Sequence, residues 1–459
     1  MARDRIPTSR AARTAKVGRL AAGQAIRHAG TRAANVGRSE DGRTAALERR
    51  HIEAAEQIVT ALGSMKGAAM KLGQVLSFLD VGLVPEEYRE EFQTRLAKLR
   101  DAAPNVAFKD MRKVIEADLG GRLSEHFAEF DEEPIAAASI GQVYRASLAD
   151  GRDVAVKVQY PGVADAVRAD MRNLALIMRL MRRLAPGLDV KALAEEVRSR
   201  VVDELDYELE ASNHRAVSRI FRGHPFVAVP DVVTSLCAER VIVTEFVEGT
   251  GFEELKTRSQ EERDRLGEII YRFFCGCLYR HRRFSGDPHP GNYMLLEDGR
   301  VAFLDFGLFK RMDDAAVEME LTCQRAVAEG DAATLHRTLT AAGFLPKPEL
   351  VDPEQLLHYI GAAIWWYTSD EEVELTPAIG TAALIESSDP RSSHYREMRH
   401  QDMRPEHLWG RRMEMLILAV LGQLRARNNW HRIAREWMYG DEPVTDLGRQ
   451  EADFYAAIV

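Results

Sequence analysis

Asp287-Pro288-His289-Pro290-Gly291-Asn292 opens the stretch whose reading decides the fold, and Asp305-Phe306-Gly307 closes it. Between them, Tyr293 to Leu296 and Val301 to Leu304 read as two short strands. A D-x4-N turn followed by a strand that ends in D-F-G is the arrangement used for phosphoryl transfer. That chemistry needs a carboxylate beside the nucleophile and side chains that hold metal ions against phosphate oxygens. Asp287 is therefore the candidate for orienting a nucleophile, and Asn292 and Asp305 are the candidate ligands for Mg2+. A Pro/Gly-rich turn between helix and strand means little alone; the D-F-G at the end of the second strand sharpens it. His289, between two prolines, is read as fixing the turn by hydrogen bonding.

Upstream, Val154-Ala155-Val156-Lys157 matches the V-A-I-K strand of kinases, whose Lys neutralises nucleotide phosphates. Val154 to Gln159 and Val143 to Leu148 read as a hairpin through Ala149-Asp150-Gly151-Arg152. With apolar neighbours on both sides, an ammonium at 157 demands an anionic partner, and Glu210 is the candidate. Setting the kinase loop G-x-G-x-x-G-x-V on Val143 places Ala136, Ala137, Ala138 and Ser139 in the lid, followed by Ile140 and Gly141. Two of the three glycines are alanine, which predicts a stiffer lid with different contacts to ATP or ADP.

Further out, Ala164 to Leu184 and Val190 to about Ile220 read as helices, the second with Leu193, Val197, Val201, Leu205 and Leu209 at four-residue steps. On one continuous helix, at ~100° per residue, Asp206 and Glu210 would share a face and Glu204 would point elsewhere. Val227 to Val233 and Val241 to Phe246 read as strands, and Glu248-Gly249-Thr250-Gly251 as a hinge. Beyond it helices dominate; Cys275 and Cys277 lie on the apolar helix Leu266 to Tyr279 as core, and all five Trp residues read as anchors of that helical part. Toward the N-terminus, helices are expected over Leu47 to Leu79, Glu86 to Arg100 and from about Phe108. Gly63, Gly67 and Gly73 interrupt the first, which suggests close backbone packing or a bound ligand.

A chain of 459 residues suggests two or three units. Hydrophobic residues at 46% and charged residues at 29% argue against wholesale disorder. Four cysteines without paired spacing indicate neither a disulfide framework nor a zinc site, so a cytoplasmic setting is expected. The longest apolar run, Met415 to Gly422, is far short of a membrane span. Residues 1–50 carry twelve Lys/Arg against four Asp/Glu, whereas the rest carries 50 against 67, which argues against nucleic acid as a main partner. The basic arm suits either a solvated tail or peripheral contact with an anionic membrane.

Together these motifs resemble the UbiB family of atypical kinase-like proteins, also called AarF or ABC-one, over roughly residues 47–330. Lys71-Leu72-Gly73-Gln74 matches its K-x-G-Q, and Ala136 to Ser139 its alanine lid. Glu204-Leu205-Asp206 with Glu210 downstream, and Asp287 to Asn292 with Asp305, complete the set. The resemblance implies an α+β, protein-kinase-like two-lobed fold with an N-terminal helical extension and a helix-rich C-lobe. With the basic composition of the first segment, the expected division is a basic mobile arm (1–46), the extension carrying K-x-G-Q (47–125), an N-lobe with inserted helices (126–248) and the C-lobe with the catalytic loop and D-F-G (249–459). The resemblance further implies that Lys71 and Gln74 lie over the active site, that Glu204 and Asp206 meet that extension, and that Glu210 pairs with Lys157.

Ser285-Gly286 replaces the kinase His-Arg, no Lys lies between Asp287 and Asn292, and no A-P-E follows Asp305. No peptide-docking platform is visible. The expectation is a Mg2+-dependent ATPase, or a phosphotransferase acting on a small isoprenoid or lipid-like molecule, in support of quinone or lipid metabolism. The alternatives are a nucleotide-gated lipid-binding or chaperone-like module and, third, an ordinary Ser/Thr protein kinase.

Overall fold

The computed structural model describes residues 106–138, 140–169, 198, 202–285, 288–380, 382 and 405–457, with backbone alone over 405–412. Lys71, Gln74, Ser139 and Asp287 lie outside the described residues, as do the helices expected before 106 and most of Ala164 to Leu184. The chain divides into two compact units: residues up to Glu208 with Thr234–Val243, and Leu209–Val233 with the remainder from Thr244.

The first unit is built on an antiparallel sheet. After helix α1 (Phe108–Leu119) come β1 (Glu129–Phe130), β2 (Ala136–Ala137), β3 (Gly141–Ser147) and β4 (Asp153–Gln159). Strand β6 (Val241–Glu245) completes the order β1-β3-β4-β6, with β2 paired to β3. The expected hairpin is present: β3 and β4 run in register from Gly141↔Gln159 to Ser147↔Asp153. Gly151, at φ +85°, allows its N–H to reach the Leu148 carbonyl at 2.9 Å, a conformation a Cβ would disfavour. Alternation decides the faces. Tyr144, Ala146, Val154, Val156 and Val158 are buried, and Phe108 and Phe130 each lie 5.5 Å from the Tyr144 ring. Met111 and Ile115 turn the apolar face of α1 inward, and Asp118 at its end accepts from the Arg240 N–H at 2.7 Å and Nε at 2.8 Å.

In the second unit, β5 (Val227–Ala228), β7 (Thr250–Gly251), β9 (Tyr293–Leu295) and β10 (Val301–Phe303) form a sheet in the order β5-β10-β9-β7. A two-stranded pair joins β8 (Arg283–Ser285) to β11 (Phe309–Arg311). The segment expected as a strand from Val227 to Val233 is ladder only at its first two residues, because β5 pairs with β10 only there; Val232 adds a lone bridge to Thr244. Thr250 and Gly251, expected as part of a hinge, are instead pinned opposite Leu295 and Met294.

The core of this unit is the helix that we label α3 (Gln260–Tyr279), preceded in the chain by α2 (Tyr207–Ile220). Ser259 and Glu262 cap its start reciprocally, and it is buried from Leu266 to Tyr279. Burial pushes the Cys275 and Cys277 thiols well above their usual range, so both cysteines are inert core. Arg272 is fully buried on the same helix and donates to Glu268 at 2.7 Å, Glu436 at 2.7 Å and Glu451 at 3.0 Å. Trp366 and Trp430 are fully buried beside Tyr271, whereas Trp365 and Trp437 are half-buried. Among the described residues, no helix is long and apolar enough to cross a membrane.

Candidate active site

In the first unit the lid is a β-ladder. Ala136 pairs opposite Val143 and Ala137 opposite Gln142, and the Ala138 N–H donates to the Gly141 carbonyl at 2.9 Å. None of the three alanines has positive φ, so alanine is compatible with each position. Gly141 differs. A Cβ there would collide with the Val158 carbonyl oxygen of β4 and lie 3.1 Å from Tyr207 Oη. The one lid glycine that remains is thus the one whose neighbour strand leaves no room for a side chain.

Lys157 lies on β4 opposite Val143, half-buried between the fully buried Val156 and Val158. Its Nζ stands 5.2 Å from the centre of the Tyr207 ring. Next on the strand, buried Gln159 donates its carboxamide to the Leu205 carbonyl at 2.7 Å and to Glu239 at 3.3 Å. This holds Glu204-Leu205-Asp206 as a turn, not as helix. Glu204 is half-buried and Asp206 exposed; Asp206 Oδ1 accepts the Glu208 N–H at 3.0 Å and so caps the start of α2. The expected shared helix face of Asp206 and Glu210 is therefore corrected: Asp206 precedes the helix.

In the second unit, β9 and β10 are antiparallel with Tyr293 opposite Phe303. The ladder continues, since the Leu304 N–H donates to the Asn292 carbonyl at 2.8 Å, and it delivers Asn292 and Asp305 to the same end of the hairpin. His289 Nδ1 accepts the Gly291 N–H at 3.0 Å, which fixes the turn before Asn292 as expected. Asp305 Oδ1 accepts the Gly307 N–H at 3.0 Å, orienting the carboxylate. Behind the D-F-G turn stands α2. Asn213 Nδ2 donates to the carbonyls of Phe306 at 3.4 Å and Phe309 at 3.2 Å, and the His214 ring lies 4.5 Å from Phe306. Glu210, 5% exposed, also faces the turn: a Cβ on Gly307 would lie 3.5 Å from Glu210 Oε2 and 3.4 Å from Asp305 Oδ1.

The family model of the ABC1 atypical kinase-like domain matches residues 98–339, more than half of the chain. The chain belongs to this family. Curated relatives of this ABC1 chain include the mitochondrial atypical kinase COQ8B of Danio rerio, 31% identical over 72% of this chain and 53% of that protein. The mitochondrial atypical kinase COQ8 of Saccharomyces cerevisiae is 31% identical over 66% and 60%. The chain spans about half the length of the curated relatives it matches. Among solved structures, the Rv3197–erythromycin complex from Mycobacterium tuberculosis is 31% identical with a TM-score of 0.61, covering 87% of this chain and 98% of that one. The α+β kinase-like fold and the UbiB resemblance read from the motifs are borne out.

A carboxylate and a carboxamide at one end of a hairpin are hard oxygen donors of the kind Mg2+ takes, and Mg2+ usually completes its shell with water and phosphate oxygens. Each unit also holds residues beside its candidate motifs that no motif announced, Gln159 and Tyr207 in the first and Asn213 and His214 in the second. They act through backbone carbonyls and ring faces, and neither leaves a spacing signal in a sequence.

Proposed function

We propose that this ABC1 chain binds ATP with Mg2+ and uses it for hydrolysis or for phosphorylation of a small isoprenoid or lipid-like molecule. Lys157 would neutralise nucleotide phosphates and Asn292 and Asp305 would hold Mg2+, whose charge, when bound, offsets that developing on the transferred group. Asp287 would orient the nucleophile. Lys71 and Gln74 would restrain access, with Glu204 and Asp206 meeting the extension that carries them. The observation that carries the reading is the β9–β10 hairpin, which brings Asn292 and Asp305 to one end while α2 buttresses the D-F-G turn. Support of quinone or lipid metabolism at a membrane surface is the role this chemistry would serve, with the basic arm of residues 1–46 held on anionic lipid.

A second reading is a nucleotide-gated module that binds an amphipathic molecule, with slow turnover; the relative solved with erythromycin favours it. One experiment separates the two. The protein is incubated with γ-labelled ATP and Mg2+, with and without anionic liposomes carrying a lipid extract, and free phosphate and labelled lipid are followed separately. Labelled lipid supports transfer, and free phosphate alone supports hydrolysis. Nucleotide binding without either product supports the module, and no Mg2+-dependent nucleotide binding overturns both.

A further inference from the structure

Tyr207 follows Glu204-Leu205-Asp206 in the chain yet belongs to none of the motifs, and it is almost fully buried, at 1% exposed. Its backbone is fixed by an N–H donated to the Glu239 carbonyl at 3.0 Å, and the turn before it by the Gln159 carboxamide on Leu205. Its ring lies 5.2 Å from Lys157 Nζ, within the range at which an ammonium is attracted to the negative face of an aromatic ring. At the other end of the same side chain, Oη lies 3.1 Å from the position a Cβ on Gly141 would take. One rigid side chain with two torsions thus touches the phosphate-neutralising lysine and the only glycine of the lid.

We propose that Tyr207 is a positioning residue for nucleotide binding: its ring face holds the Lys157 ammonium in place, while its hydroxyl end packs under the lid at Gly141. The inference rests on the reading that Lys157 serves nucleotide phosphates. A ring face suits that task physically. It attracts the ammonium without itself neutralising it, and it shields one side of the half-buried lysine from water. The packing at Gly141 adds a steric link, because a change in the lid backbone at 141 presses on the hydroxyl end of the same ring.

The test uses the full chain labelled with ε-13C-lysine. The Lys157 resonance is assigned by its loss in Lys157→Arg. Ring current is expected to shift it upfield; the shift persists in Tyr207→Phe and disappears in Tyr207→Leu. Because this readout needs no nucleotide, it judges the contact even if the protein proves not to bind ATP. The second measurement is MgATP affinity by calorimetry. Tyr207→Phe, which keeps the ring face and lacks the hydroxyl, is the reference for this measurement. Pentafluorophenylalanine at 207, which keeps the shape of the ring and reverses the charge of its face, is expected to weaken binding about 2- to 30-fold, the range that cation–π energies imply. In a Lys157→Met background the same replacement should change nothing further. An unshifted Lys157 resonance, or equal affinities for phenylalanine and its pentafluoro form at 207, would overturn the proposal. A shifted resonance in a protein without MgATP affinity would leave the contact standing and remove the nucleotide reading beneath it.

Discussion

Gly141→Ala is the substitution that most directly tests how the lid is built. The new Cβ would collide with the Val158 carbonyl oxygen and lie 2.9 Å from the Val158 carbonyl carbon and 3.1 Å from Tyr207 Oη. None of these neighbours can swing aside: Val158 contributes main chain of β4, and Tyr207 is buried. Relief requires the start of β3 to move away from β4, where Gly141 opposes Gln159 and where the Tyr160 N–H donates to the Ile140 carbonyl at 2.8 Å. Overpacking costs about 1–3 kcal/mol and a broken ladder bond about 1 kcal/mol, so a loss of about 2–4 kcal/mol is expected. For a unit of this size that is a fall in Tm of roughly 5–10 °C. Ala138→Gly, in the same lid, should differ in kind. Ala138 is half-buried without positive φ, so its replacement acts mainly by loosening the chain, at about 0.4–1 kcal/mol, and should alter the ratio of ATP to ADP affinity more than the Tm. Both variants can be compared by thermal unfolding with and without MgATP or MgADP. A Gly141→Ala protein that melts within about 1 °C of the parent would refute the argument that β4 excludes a side chain there.

Four further outcomes are expected. Asp305→Asn removes the anionic member of the proposed Mg2+ pair, so thermal stabilisation by ATP should lose its dependence on Mg2+; an unchanged Mg2+ dependence would remove Asp305 from the proposed metal site. Asn213→Ala withdraws two hydrogen bonds from the carbonyls of Phe306 and Phe309, and should cost about 1–2 kcal/mol in denaturant titrations while lowering MgATP affinity. Burial, aided by the neighbouring Arg280, pushes His281 down to about 4. The unfolded chain therefore binds its proton first, and the stability contributed by neutral His281 is complete above about 6.5 and lost as pH falls through 4. Allowing for its partial exposure this is on the order of 2 kcal/mol, and a His281→Gln protein should show a flatter pH–stability curve between those limits. Deleting residues 1–46 should abolish salt-sensitive binding to anionic liposomes without lowering the Tm; equal binding by both forms would assign the arm to solvent.

Much of the fold was legible because its signals are local. The period-two alternation of β3 and β4, with Asp150-Gly151 between them, needs nothing from elsewhere in the chain. The same holds for β9 and β10, and through them for the placing of Asn292 and Asp305. The continuous helix expected to about Ile220 was misread for a complementary reason. Its four-residue apolar step runs unbroken through Leu205 and Leu209, yet Leu209 is 38% exposed and the chain turns at Glu204 to Asp206. What turns it is distant in sequence: Gln159 claims the Leu205 carbonyl, and Glu239 takes the Tyr207 N–H. A carbonyl that has a better partner than the helical N–H four residues on ends the helix, and a reading of spacing has no access to that competition. Asn213 and His214 were missed likewise, for they recognise a backbone turn and a ring from nearly a hundred residues away.

A common device emerges from the two units considered separately. In each, a partly or fully buried carboxamide donates to two backbone carbonyls beside the candidate chemistry: Gln159 to Leu205 and Glu239, Asn213 to Phe306 and Phe309. Apolar packing could bury these segments equally well, but it is non-directional and would tolerate a rotated peptide. A hydrogen bond from a planar group is directional and breaks when its carbonyl turns away, and a buried carbonyl left without a donor costs about 1–3 kcal/mol. The turns that present Tyr207 and Asp305 are thereby held in one arrangement without nucleotide, so that binding need not supply the ordering. Replacement of either carboxamide by an apolar residue of similar size should consequently preserve much of the fold while weakening nucleotide affinity, whereas a role confined to packing would leave that affinity unchanged.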